Sequence, residues 1–88
     1  MGRMINVGFG NIVNTDKILA VISPDSAPAK RLIQHARDEE RLIDATQGRR
    51  TRAVIVSDNG MLILSALLPD TLGGRFQTSE VLEETSNE

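Results

Sequence analysis

The chain has no cysteine, no tryptophan and no tyrosine, and its 88 residues include only two phenylalanines, three prolines and one histidine. Without cysteine there are no disulfides, thiolate metal sites or cysteine nucleophiles, and a reducing cytoplasm is the compartment that fits. Phe9 and Phe76 are the only aromatics, which disfavours a platform for stacking the bases of single-stranded nucleic acid. No stretch approaches the roughly 18 apolar residues of a membrane span, and the start Met-Gly-Arg-Met-Ile-Asn-Val lacks the apolar run of a signal peptide. A cytoplasmic protein with no membrane partner is expected.

Recognisable catalytic signatures are missing as well. There is no Walker loop, zinc spacing or paired-carboxylate motif, so the expectation is a protein without metal, cofactor or enzymatic activity. His35 falls in a predicted helix with no motif supplying the oriented partner a general base needs. Gly8-Phe9-Gly10 matches only the start of a dinucleotide fingerprint. The third glycine position holds Val13, and no crossover helix opens there.

Charge is present and unevenly spread. The formal net charge is −2, but residues 76–88 hold Glu80, Glu83, Glu84 and Glu88 with no basic residue, leaving residues 1–75 with ten basic and eight acidic side chains. A mildly basic body over residues 1–75, carrying an acidic and disordered tail over 76–88, is the expected organisation. A single domain this short buries only about 60–65% of its unfolded surface, so support from self-association is expected.

Periodicity and turn chemistry predict an α+β fold: a small antiparallel or mixed sheet of about five strands, one main helix and a short C-terminal helical turn. A strand over Arg3–Val7 breaks at Gly8-Phe9-Gly10-Asn11, and Ile12-Val13 extends the first sheet segment. Lys17–Ile22 reads as a strand covered on both faces. Ser26 is a suitable N-cap for a helix over Ala27–Glu40, with Ala29, Leu32, Ile33 and Ala36 as its buried stripe. Asn59-Gly60 between two apolar runs is the strongest local hairpin signal. The apolar run Met61–Leu68 suggests a second sheet face that only more protein can cover, which again points to self-association. Asp70–Arg75 is expected to make the short final helical turn.

Most of the chemistry lies in Leu42–Val56. Two apolar strands flank Gly48 and three arginines, Arg49, Arg50 and Arg52, so the pattern predicts a hairpin with a cationic tip. Strand alternation would place Arg50 and Arg52 on one face. Guanidinium groups offer a planar fork of donors matched to phosphate oxygens, which suggests an anion site. The bland alternative is a solvated turn whose arginines meet neighbouring carboxylates, with Asp44 as one such partner.

Several blocks in order resemble one family. They are Asn6–Val13, Ser23–Pro28 with Lys30-Arg31, Leu42–Val54 and Leu62–Ala66. Together they resemble the RemA family of bacterial extracellular-matrix regulators over about residues 4–75. The resemblance implies a DNA-binding transcriptional regulator of biofilm matrix genes, associated with the nucleoid and assembled as a closed ring of seven or eight identical subunits with double-stranded DNA on its outside. It also implies DNA-binding roles for Arg49, Arg50, Arg52 and Lys17, and places Pro28 in a functionally sensitive segment. Lys17 stands where better-known members carry arginine, Gln47 where they carry tyrosine, and Glu40 where they carry glycine. That last difference predicts a helix end closed in another way. The alternatives are a structural or protein-interaction ring and a small-anion sensor, each using the same arginine turn.

Overall fold

The computed structural model describes residues 3–76, in which two short strands form a ribbon beside a four-stranded sheet. Strands β1 (Met4–Asn6) and β2 (Ile12–Asn14) pair antiparallel, Ile5 opposite Val13. Val7 N–H donates to the Asn11 carbonyl at 2.8 Å, closing a turn in which Gly8, Phe9 and Gly10 all have positive φ. A single 3-10 turn at Thr15–Lys17, capped by Asn14 Oδ1, leads into β3 (Ile18–Ile22).

Ser23-Pro24-Asp25 then ends β3, and Ser26 Oγ accepts the Ala29 N–H at 3.1 Å to cap helix α1 (Ala27–Asp38) as expected. The helix stops two residues before the expected end. Its closure retains a Schellman motif despite the absence of glycine. Glu40 takes φ 59, its N–H donates to Arg37 O, and Arg41 N–H donates to Ala36 O at 2.7 Å. The expectation of a different cap is therefore corrected: the cap keeps its form, with a side chain held in the left-handed region.

Strands β4 (Leu42–Asp44), β5 (Ala53–Ser57) and β6 (Leu62–Ser65) complete the sheet in the order β3-β5-β6-β4. β5 pairs antiparallel with both β3 and β6, whereas β4 lies parallel to β6. A second helix, α2, occupies 69–76 up to the last described residue. The fold is α+β as expected, with six strands among the described residues instead of about five.

Alternation along β5 sets the core. Ala53 and Ile55 face a cluster with Ile5, Val7, Val13 and Leu72, while Val54 turns to Ala36, Leu62 and Leu64 beneath α1. The ribbon and Leu72 of α2 thus cover the sheet face that α1 leaves open. Leu64 is only 4% exposed, so a charge there would test folding before it tested association. The doubly covered strand is β5, not β3. β3 is an edge with an irregular register between Ile18 and Ala20, and Leu19 there is 69% exposed. Within the expected helical stripe Ala29 and Ala36 are buried, whereas Leu32 is 39% exposed.

Candidate nucleic-acid interface

The segment between β4 and β5 is not a hairpin, because β6 lies between those strands. Residues 45–52 instead cross the end of β6 and are fastened to it on both sides. Ala45 N–H donates to Leu64 O at 2.9 Å on entry, and Arg52 N–H donates to Ser65 O at 2.8 Å on exit. β4 and β5 flank β6, so the chain between them must arch over that strand's end, and the arginines ride on the arch.

Asp44 organises the entry. Its Oδ1 accepts Thr46 N–H at 2.9 Å and Thr46 Oγ1–H at 2.6 Å, and Thr46 is 2% exposed. These two bonds, the hydroxyl's first, hold the Asp44 carboxyl below its ordinary pKa, with the charge of Arg37 adding to the effect against slight desolvation. Asp44 was expected to partner an arginine of the turn; its bonds go to Thr46, and the local backbone is what it fixes. Next, Arg49 N–H donates to Thr46 O at 3.0 Å across Gln47 (φ 56) and Gly48 (φ 80). Positive φ at both central positions is the signature of a type I′ turn.

Arg49, Arg50 and Arg52 are all exposed, and among the described residues none of them forms a salt bridge. The bland alternative of arginines engaged by neighbouring carboxylates is thus not what the described residues adopt. Strand alternation does not order the three, because β5 begins only at Ala53, where pairing with Ser65 begins. Arg49 is placed by another contact: its guanidinium carbon lies 5.6 Å from the ring centroid of Phe9, a cation–π arrangement. Lys17 is exposed but distant. It precedes β3 beside Ser57 and Asp58, whereas the arginines precede the opposite end of β5. Those ends are separated by roughly a five-residue strand, about 15 Å.

Sequence reasoning missed Phe9 and Arg75. Arg75 Nη1 donates to Asn6 O at 2.6 Å, and both residues line a cleft with Arg49. The available signal was an aromatic between two glycines, a side chain that a turn is bound to expose.

By class, this is a small α+β domain presenting an exposed cationic loop over the end of an interior strand of its sheet. Among the described residues no three His, Asp or Glu side chains gather as a metal site, and no helix is long and apolar enough to cross a membrane. The family model described as RemA-like, Extracellular matrix regulatory protein A-like, matches residues 4–76, and the chain belongs to that family. A Synechococcus relative is 56% identical over 79 residues, covering 90% of this chain and 89% of its own length. A Brevibacillus brevis relative is 55% identical over 78 residues, covering 89% and 91%. One from Clostridium botulinum is 52% identical over 86 residues, covering 98% and 97%. All three carry regulatory-protein names, which supports a regulatory role over an enzymatic one.

Proposed function

We propose that the chain is a cytoplasmic, nucleoid-associated transcriptional regulator of matrix genes that binds duplex DNA as a homo-oligomeric ring. The observation that carries this reading is the arch over β6, which exposes Arg49, Arg50 and Arg52 with no described carboxylate engaged. Such a group suits phosphate oxygens, and phosphate contacts position a protein without reading sequence. Lys17 adds a contact a strand's length away.

One subunit supplies too few cations to hold DNA at physiological salt, and repetition around a ring raises the effective concentration. The sheet's geometry favours head-to-tail repetition. Its two edges, β3 and β4, are different strands on opposite sides, and each exposes an apolar side chain, Leu19 and Ile43. A contact joining unlike edges closes into a ring when the rotation allows. Seven or eight subunits is the number the family resemblance implies.

The test pairs light scattering with duplex titrations across salt. Affinity should fall with a log–log slope of about −0.9 per phosphate neutralised. Arg50→Ala should flatten the slope and weaken related and unrelated duplexes alike, at unchanged oligomer mass. If Arg49→Ala, Arg50→Ala and Arg52→Ala each assemble normally and keep parental affinity and salt dependence, the loop serves another partner and the protein-interaction reading takes over.

A further inference from the structure

The cleft that holds Arg49 and Arg75 has an apolar floor and a cationic rim. It is an open cleft of about 500 Å³ between the Gly8-Phe9 turn, the arch and α2, lined by Phe9, Ala66 and Leu67 together with the two arginines. That volume falls in the range of sites that take a compact ligand, about 300–1,000 Å³. Arg49 lies over Phe9 and Arg75 donates to Asn6 O, so both exposed cations stand beside the cleft.

A ligand for this cleft needs anionic groups on either side of a short apolar body. The chain carries that pattern just beyond Phe76, in Glu80-Val81-Leu82-Glu83-Glu84. Residues 77–88 contain four glutamates and no basic residue, while the rest of the chain has ten basic and eight acidic side chains. Reach is sufficient. Glu80 lies five residues after Arg75, at most about 17 Å of extended chain.

We propose that residues 80–84 dock in the Phe9/Arg49/Leu67/Arg75 cleft of their own subunit, with Val81-Leu82 on the apolar floor and the glutamates against the two guanidiniums. Docking occupies Arg49, so the acidic segment competes with phosphate for part of the arch. That consequence rests on the DNA reading; the docking itself does not.

The chain has no cysteine, so Ser86→Cys gives one unique attachment point for a nitroxide label on the full-length protein. The label should broaden the amide signals of Gly8, Phe9 and Ala66 to less than half intensity while sparing Asn59 at the far end of the sheet. Broadening should vanish in the Glu80→Gln/Glu83→Gln/Glu84→Gln variant. Unchanged signals at Gly8, Phe9 and Ala66 would overturn the proposal, as would broadening that survives the triple substitution. Mixing nitroxide-bearing, isotope-free chains with isotope-labelled, nitroxide-free chains should abolish the effect. Broadening that persists in the mixture assigns the segment to a neighbouring copy and overturns docking within the subunit. In a duplex titration at low salt the triple variant should bind about two- to fivefold more tightly, the size expected for exposed ion pairs. A protein that shows the broadening but binds no DNA keeps the docking and loses only the DNA reading.

Discussion

The connections on either side of β5 use the same chemistry and reach different results. In each, a side-chain oxygen of Asp or Asn accepts a hydroxyl and a backbone N–H. Asp44 Oδ1 takes both from Thr46, while Asn59 Oδ1 takes Ser57 Oγ–H at 2.6 Å and Met61 N–H at 3.2 Å. Each also closes a bond across a four-residue turn, Arg49 N–H to Thr46 O and Gly60 N–H to Ser57 O. Yet only residues 58–61 join neighbouring strands. Their turn has positive φ at Gly60 alone, fitting a type I turn followed by a left-handed glycine, with Ser57 N–H bonded to Met61 O. The type I′ geometry at Gln47-Gly48, usual in two-residue hairpins, sits inside a crossing between strands that do not pair. Turn geometry therefore does not choose strand partners. The shorter connection closes the sheet, and the longer one is left to present arginines.

The largest effect should come from the strand both connections share. Ile55 is fully buried, and Ile55→Ala should lower unfolding free energy by about 2–5 kcal/mol in denaturant titrations, the usual cost of a core truncation. Probes at the arch and at the 58–61 turn should lose structure in one transition. Two separate transitions would break the link between the connections.

Removing the organising bonds should separate structure from function. Thr46→Val deletes the hydroxyl that binds Asp44, and Asn59→Ala deletes the matching acceptor in the short turn. Each should destabilise by about 1–2 kcal/mol. Only Thr46→Val should also weaken duplex binding, because it loosens the arch; equal DNA affinities for the two variants would remove the functional distinction.

Backbone substitutions should then shift stability in opposite directions. Gly60→Ala forces a β-carbon into φ 88, 3.5 Å from Arg41 Nη1, and should cost about 1 kcal/mol. Gln47→Gly relieves a non-glycine residue at φ 56 and should raise stability by about 0.5–1 kcal/mol, read as a higher midpoint at unchanged denaturant slope.

The smallest effect is with pH. The folded Asp44 pKa is lowered, so its contribution is complete above the unfolded value of about 3.9 and is lost as pH falls through the lower folded value. Acid titration should therefore weaken the arch of the parent protein. Asp44→Asn should remove that part of the pH dependence, whereas Asn59→Ala should leave it in place.

Short-range features were legible in the residues. Ser26 caps α1, Ala29 and Ala36 form its buried stripe, Asn59-Gly60 marks the β5–β6 hairpin and Asp70–Arg75 is helical. Each depends on side chains a few positions apart, where turn preference and periodicity act. The charge of residues 76–88 was equally plain, although the disorder expected there falls, beyond Phe76, outside the described residues. The arginine loop is legible in the sequence as a cationic segment but not as a crossing, because nothing local states that β6 lies between the strands that flank it.

By itself, then, the sequence determined the α+β class, the helix and its cap, one hairpin, and the crowding of three arginines into residues 49–52. Tertiary structure alone decided that β4 lies parallel to β6, that β5 carries the core on both faces, and that Phe9 and Arg75 share a cleft with Arg49. It also separated Lys17 from the arginines by the length of β5. The physical reason is that caps and turns are settled by bonds within a few residues, whereas strand order is settled by which apolar faces bury one another. Ile5, Ile55 and Leu72 meet only after the whole chain has collapsed, and no local pattern states which of them will meet.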